Sequence, residues 1–400
     1  MHQTRTAIDP APATSPFAGL VVVELGHSVA APFAGQIFGE LGATVIKVEK
    51  PDGDTARSWG PPFQDGAATI FQALNRNKQS VTCDLRDPEQ TAALKRLIAE
   101  RADVVLQNLR PGQVETLGLG GSALLALKPS LIYCNMGAFG HTGPLSHRPG
   151  YDPLMQAFGG IMSTTGEAGR PSVRVGASIV DMGTGMWAVI GIMAALWQRQ
   201  STGQGRVVDV SLFETATTWV SLIASQVLVS GEAPPRYGSG TASIVPYKGY
   251  ITADGEIVVA AGSDALFRSL AKTVGHPEWI EDPRFADNPS RVLHQAELYA
   301  MLDEIFAKHS TQHWLTQLES AGLPCSPVHD MNQMLAHPQT TTLGLVQHVP
   351  DSEMRFVGLP LNFDSQRPQP RFRPPTLGEH TEQLLGQSRP HGTAATETQS

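Results

Sequence analysis

The feature that most constrains this chain is its opening pattern of strand, helix and strand between Leu20 and Glu49. Leu20–Leu25 (LVVVEL) is an apolar run of strand length. Pro32 can open a helix, where its missing N–H costs nothing, and Phe33, Ile37, Phe38 and Leu41 then share one apolar face. Gly42 stops the helix, and Thr44–Glu49 (TVIKVE) forms the second strand. Two short buried strands joined by a crossover helix pair in parallel, and a parallel sheet must be covered on both faces. The pattern commits the chain to an α/β architecture.

The alternation continues. The sequence predicts strands at Ser80–Leu85, Val104–Gln107, Leu131–Met136 and Arg206–Leu212. Asp87 caps a helix with Pro88 at its first position, Gln90 completes a capping box, and Leu94, Leu97 and Ile98 face inward. A long helix follows Asp181, runs to about Gln200 and ends at Thr202–Gly203. These elements predict a Rossmann-like large domain, with an open, mainly parallel sheet, over residues 18–225. A smaller α+β domain is expected over 226–329. There Ile244–Thr252 and Glu256–Ala261 form a hairpin about Asp254-Gly255, followed by helices at Ala265–Val274, Ala296–Ala307 and Thr311–Ser320. Residues 330–386 carry a short strand (Met354–Val357) and a Pro-rich run, RPQPRFRPPTLGEH, read as a segment returning to wrap the large domain. Residues 1–17 and 387–400 read as disordered tails.

Composition narrows the function. The net charge is -8 with no concentrated basic stripe, which argues against nucleic-acid binding. Three widely spaced cysteines (Cys83, Cys134, Cys325) match neither a disulfide framework nor a zinc pattern and suit a reducing, cytoplasmic setting. The scattered histidines suggest no metal site. The N-terminus lacks the apolar core of a signal peptide. The longest apolar stretch, Met186 to Trp197, is too short to span a bilayer and reads as a buried helix, so no membrane partner is expected.

The first βα turn, Gly26-His27-Ser28-Val29-Ala30-Ala31-Pro32, lacks the G-x-G-x-x-G spacing, without which the backbone cannot closely approach a dinucleotide pyrophosphate. There is no Walker A motif, H-E-x-x-H or G-x-S-x-G nucleophile elbow. Nine segments in order from residue 18 to 386 do carry a resemblance. They include GLVVVELGHSVAAPFAGQIFGELGATVIKVEKPDGD, LNRNKQSVTCDLRDP, VLQNLRPG, FGHTGPLSHRPGYDPLMQAFGG, DMGTGMWAVIGIMAALWQRQSTGQGRVVDVSLFE and PPTLGEHT. Together they resemble the family III CoA-transferases, the superfamily of formyl-CoA transferase, carnitine CoA-transferase and α-methylacyl-CoA racemase.

The resemblance implies a set of roles. The family nucleophile, an Asp in a D-x-x-x-G setting, matches Asp181 followed by Gly185. Taken alone, Asp181 would be an N-cap; a carboxylate at a helix N-terminus meets unpaired N–H groups and the positive dipole end, so it should stay ionised at neutral pH. The implied reaction passes CoA between carboxylic acids through an aspartyl anhydride and an aspartyl–CoA thioester. CoA is then a substrate, with no prosthetic group. Tyr151 matches the position by the acyl group; the racemase branch has His there, and a phenol ionising near pH 10 is a poor base at pH 7. Gly238 and Gly240, in Tyr237–Thr241, match a glycine-rich mobile loop, or serve as a plain linker. Asp264 matches a position near the substrate.

For the CoA wall the resemblance implies His27, Val29 and Ala30 by the thioester and pantetheine. Lys50 falls at the phosphates, with Asn75, Lys78, Asn108 and Leu109 at the nucleotide end. Val29 departs from a Gln of the formyl-transferring branch. Thr116 replaces a frequent Arg, for which Arg110 is positioned to compensate. The stretch GSGTASIVPYKGYITADGEIVVAAGS is similar to the branch acting on dicarboxylates, which implies succinyl-CoA or a similar donor. The far carboxylate would need a cation, for which Arg148, Arg174 and Lys248 are unranked candidates. The family also implies an interlocked, ring-like homodimer. The alternatives are an acyl-CoA racemase, an inactive CoA-binding protein and a nicotinamide enzyme.

Overall fold

The computed structural model describes residues 11–386. The chain divides into two compact units. The first comprises residues up to Gly159, Gly176–Trp219 and Gln339 onward; the second comprises Gly160–Val175 and Val220–Pro338. The chain therefore leaves the first unit twice. Residues 160–175, expected within the large domain, belong to the second unit. Residues 330–338 also belong there, so the returning segment begins at Gln339.

The first unit is built on a six-stranded sheet. Its strands are β1 (Val21–Leu25), β2 (Thr44–Glu49), β3 (Lys78–Thr82), β4 (Val104–Gln107), β5 (Ile132–Gly137) and β6 (Arg206–Ser211). They lie in the order β3-β2-β1-β4-β5-β6, and every pairing is parallel. The strand at 78–82 starts two residues before the expected one because Lys78 and Gln79 already pair with Val45 and Ile46. The helices of this unit include the crossovers α1 (Ala30–Glu40), α2 (Thr69–Asn75), α3 (Pro88–Arg101), α4 (Asp152–Phe158) and α5 (Ile179–Thr202), and α6 (Leu212–Trp219), which follows the last strand. Asp87 caps α3 through the N–H groups of Glu89 and Gln90. The expected capping box does not close: Gln90 Oε1 accepts from Asp84 N–H, and its amide donates to Asp87 Oδ2.

Alternation along β1 and β2 decides which residues face which layer. Val23, Leu25, Ile46 and Val48 enter an apolar core with Leu94, Leu97 and Ile98 of α3. The opposite face puts Glu24 and Val45 against α1. Glu24 is buried there with two lysines. Lys47 Nζ lies 3.0 Å from Glu24 Oε1 and 2.9 Å from Asp54 Oδ2, and Lys78 Nζ lies 2.7 Å from Glu24 Oε2. Lys47 also donates to Gly26 O, and Lys78 to Pro32 O and Asn75 Oδ1. A buried charge lacking these partners would cost several kcal/mol, on the order of 3–5.

The N-terminal segment contradicts the tail reading in part. Residues 11–17 form turns, Phe17 N–H donates to Leu41 O, and its ring packs 5.2 Å from Phe38. The remainder of the expected tails, residues 1–10 and 387–400, falls outside the described residues. At the other end, the Pro-rich segment straps the first unit: Arg371 and Phe372 N–H donate to Asn77 Oδ1, and Gly378 N–H to Ser80 Oγ. A last helix, Thr381–Leu385, inserts Leu385 into the core.

Helix α5 also differs from expectation. It spans the whole of 179–202, long and apolar enough in length and composition to cross a membrane. Instead it packs along α1, β5 and β6 of the fold. It is buried along one face only; Met182, Met186, Trp187, Ile190, Met193 and Trp197 are exposed.

The second unit holds a three-stranded antiparallel sheet in the order 325–327, 256–260, 247–251. Its core gathers Tyr250, Ile257, Val259, Phe267, Phe285, Phe306 and Trp314 beneath helices Asp264–Thr273, Gln295–Phe306 and Thr311–Ser320. The hairpin turn is closed by Thr252 N–H donating to Gly255 O. The third strand, Cys325–Pro327, has no periodic signal in its three residues.

Gly185 sits where α5 crosses the start of α1. A Cβ there would lie 2.8 Å from Ala30 O and 3.1 Å from the Phe33 ring. Gly185→Ala gains about 1 kcal/mol of helix propensity. Overlap with a backbone oxygen costs more, about 1–3 kcal/mol. Urea unfolding should therefore show a net loss of stability; a net gain would mean that the two helices are not in close contact.

Candidate active site

Parallel strands leave their C-terminal ends at one edge, and ligands bind where the strand order reverses. Here the chain runs β1-β2-β3 one way and β4-β5-β6 the other. A cavity of about 730 Å³ lies along that edge. Its lining comes from every strand end: Cys83–Arg86 after β3, Lys50–Thr55 after β2, Gly26–Ser28 after β1, Asn108–Pro111 after β4, and Met136–Ala138 with Arg148–Tyr151 after β5. Leu212 follows β6, and Asp181 and Thr184 come from α5. The volume is in the range of small-molecule and cofactor sites.

The turn after β1 is rigidly held. His27 N–H donates to Asn108 Oδ1 at 3.0 Å, and Asn108 Nδ2 donates back to His27 O at 2.9 Å. Ser28 sits at φ 68 and donates its N–H to Asp54 Oδ1. Asp54 is in turn paired with Lys47, so the buried charges fix both the 26–28 turn and the 50–56 loop. Burial pushes the His27 imidazole down from its ordinary value, with Asp54 opposing and Lys47 adding to the shift. His27 is a neutral wall at neutral pH.

Asp181 is not the N-cap. Helix α5 begins at Ile179 after Ser178, whose side chain makes no capping bond, and Asp181 lies in the first turn. The first free N–H groups are taken by Asp152: Val180 and Asp181 N–H donate to its Oδ2 at 2.8 and 3.2 Å, and Gln156 Nε2 donates to its Oδ1. Asp152 is 2% exposed and opens α4, with Pro153 behind it. Among the described residues no donor is bonded to the Asp181 carboxylate. Burial and the neighbouring Asp152 charge push its pKa up to about 7. This runs against the expectation that Asp181 stays ionised at neutral pH: burial first and the Asp152 charge second disfavour its ionised form, and the first-turn N–H groups serve Asp152. Sequence reasoning passed over Asp152; an Asp-Pro helix start was its one local signal, and its link to residues 28 and 29 positions away had none.

Cys83 places a thiol on the cavity wall. Burial, with Asp84 and Asp87 adding, pushes its thiol up to about 12, so it stays protonated and inert. Of the carboxylates lining the cavity, Asp54, Glu49 and Asp84 are paired with Lys47, Arg57 and Arg86, whereas Asp181 has no such cation among the described residues.

The model of CoA-transferase family III matches residues 17–381. That decides the family. The chain is a family III CoA-transferase. It is 36% identical over 374 residues to the succinyl-CoA:glutarate CoA-transferase of Homo sapiens, covering 92% of this chain and 85% of that one. It is 36% identical over 383 residues to the succinate–glutarate CoA-transferase of Agrobacterium fabrum, covering 93% and 95%. A CAIB/BAIF family protein from Brucella suis shares the fold with a TM-score of 0.84 at 38% identity, over 93% of this chain and 99% of that one.

Within the transferase, the residues expected at the site are distributed unevenly. His27, Ala30, Lys50, Asn108, Leu109, Arg110, Tyr151 and Asp181 line this cavity. Val29, Asn75 and Lys78 do not. Val29 precedes α1 and is buried. Asn75 and Lys78 are buried with Glu24 in the charge network, and so they support the wall from behind. Gly238, Gly240 and Asp264 lie in the second unit. Gly238 N–H donates to Gly166 O, Gly240 N–H to Tyr237 O, and Ser239 Oγ accepts from Gly249 N–H, so 237–241 is a bonded turn. Asp264 pairs at 2.7 Å with Arg291, whose other donors bind Val245 O and Phe285 O.

The raised carboxyl makes a stability prediction. Folded Asp181 keeps its proton up to about pH 7, whereas the unfolded chain releases it near 3.8. Ionising it therefore destabilises the fold progressively from pH 4 to 7, by at most about 4 kcal/mol. Asp181→Asn should unfold at higher denaturant than the parent at pH 8, with the gain shrinking to nothing near pH 4. A difference that does not vary with pH would show that Asp181 titrates normally.

Proposed function

We propose that this transferase moves CoA from succinyl-CoA, or a similar dicarboxylyl-CoA, to a second small dicarboxylate, with Asp181 as a covalent relay. The observation that carries the reading is the Asp181 carboxylate: it lines the cavity, has no donor among the described residues, and has its pKa raised to about 7 by burial and by the Asp152 charge. The substrate class draws support from relatives named as succinyl-CoA:glutarate and succinate–glutarate CoA-transferases. Lys50, Arg86 and Arg110 are suited to the CoA phosphates, and His27, Ala30, Asn108 and Leu109 to the pantetheine arm.

Each step in this scheme is a carboxyl exchange without net proton transfer. Asp181 attacks the thioester carbonyl, the C–S bond breaks, and the CoA thiolate leaves a mixed anhydride. The thiolate attacks the aspartyl carbonyl and expels the donor acid, forming an aspartyl–CoA thioester. The acceptor carboxylate attacks that carbonyl, releasing the thiolate and forming a second anhydride. The thiolate then takes the acceptor's acyl group and frees Asp181. Water would hydrolyse either intermediate, so holding it away matters as much as the nucleophile. The three cysteines are free, which supports a reducing compartment such as the cytoplasm. The exposed apolar stripe on α5 supports a homodimer, as does the exposure of Leu222, Leu228 and Val229. Sedimentation should give twice 42.8 kDa; a monomer at micromolar concentration would remove that part.

The relay is tested by trapping. Incubation with succinyl-CoA and hydroxylamine should convert Asp181 to a hydroxamate detectable by peptide mass spectrometry, and Asp181→Ala should abolish both the adduct and exchange. Because the carboxylate is the nucleophile, kcat/KM should fall tenfold per pH unit below about pH 7 and level off above it. Exchange in Asp181→Ala at the parent rate would refute the relay.

A further inference from the structure

We infer that Arg148 binds the free carboxylate of a dicarboxylyl substrate and so selects diacids over monoacids, an inference that rests on the dicarboxylate reading. The strand order supplies a ruler. Neighbouring strands lie about 4.8 Å apart, so β4 is roughly 5 Å, β2 roughly 14 Å and β3 roughly 19 Å from β5 along the cavity edge. Asp181 lies in the first turn of a helix packed on α1, β5 and β6. Lys50 and Arg86 follow β2 and β3, at the far end, and Arg86 is already paired with Asp84. A CoA lying along the strand ends thus puts its phosphates there and its thioester over β5.

At the β5 end the wall is apolar or neutral: Met136, Gly137, Ala138, Tyr151 and Leu212. Arg148 is the cation lining the cavity from that end. Its backbone N–H donates to Leu145 O, and among the described residues no acid pairs with its guanidinium. Residues 150–152 fix its place. Gly150 approaches so closely that a Cβ would lie 2.9 Å from Ala138 Cβ and from Met155 Cε. Tyr151 comes next, then Asp152, which grips the first turn carrying Asp181. Four residues span at most about 14 Å, so Arg148 is tethered to the nucleophile's own anchor. In succinyl and glutaryl chains the second carboxyl carbon lies roughly 4–5 Å from the first, given C–C bonds of about 1.5 Å. A guanidinium at the rim meets such a group with paired, charge-assisted bonds. The other two candidate cations are engaged elsewhere: Lys248 pairs with Asp303 over the Tyr250 and Tyr299 rings, and Arg174 donates to Val175 O.

The test compares succinate and glutarate with butyrate and valerate as acceptors, in the parent, R148M, R148K and R110M. In the parent, diacids should be preferred. In R148M the diacid-to-monoacid ratio of kcat/KM should fall about tenfold or more, mainly through KM, and R148K should restore part of it. R110M should weaken both acid classes alike through CoA. A selective parent whose R148M variant keeps its ratio, or loses both classes equally, overturns the assignment alone. A parent indifferent to the second carboxylate overturns the dicarboxylate reading, and the assignment falls with it.

Discussion

The site depends on one carboxylate binding the end of one helix. Asp152 occupies the N–H groups of Val180 and Asp181 that a first-turn acid would otherwise draw upon. This has two consequences at once. It fixes the start of α5 relative to α4, and hence the direction in which Asp181 emerges. It also leaves the Asp181 carboxylate beside a buried like charge with no compensating donor among the described residues, and its pKa rises for that reason and for its burial. A helix N-terminus is usually invoked to steady an anion. Here the same donors steady the neighbour, and the Asp181 carboxylate remains less stabilised and more basic.

A second set of buried charges does for the cavity wall what Asp152 does for the start of α5. Glu24 and Lys47 lie in strands that otherwise read as continuous apolar runs, on the face toward α1. Burial opposes the charge on Lys47, but Glu24 and Asp54 outweigh it and lift its pKa above the ordinary range. Replacing such a group with an apolar one of equal size need not cost stability. Its benefit is positional: Lys47 joins Gly26 O, Glu24 and Asp54, and Asp54 joins Ser28 and Ala56. Two loops that line the cavity are thereby tied to the sheet, in a backbone that lacks the glycines of a dinucleotide turn.

What could be read from sequence, and what could not, divides along the same physical line. Strands such as Thr44–Glu49 and Val104–Gln107 were legible because both faces are buried and the apolar run ends at a turn residue. Helix α3 was legible from Asp87 and Pro88, but its capping box was not, since Asp84 N–H competes for the Gln90 oxygen. The place of Asp181 on the cavity wall was legible through its D-x-x-x-G setting, for which the close approach of Gly185 to Ala30 O supplies a packing reason. Its raised pKa was not, because that depends on burial in the folded cavity and on Asp152, a residue far along the chain. Lys78 and Asn75 were misplaced for a related reason: a cation beside a CoA-like motif suggests phosphate, and only the fold shows Glu24 underneath it.

The cavity treats its thiol and its Asp181 carboxylate differently. Cys83 lines the same wall, yet burial and two nearby acids raise its pKa to about 12, so ionising it at pH 7 would cost about 7 kcal/mol. The same two effects act on Asp181, but from an ordinary value of 3.8, and they leave it near 7. Equal physics applied to two side chains silences one and tunes the other. Burial that excludes water from a reactive acyl group is therefore compatible with a carboxylate relay in this cavity, and incompatible with a thiolate one.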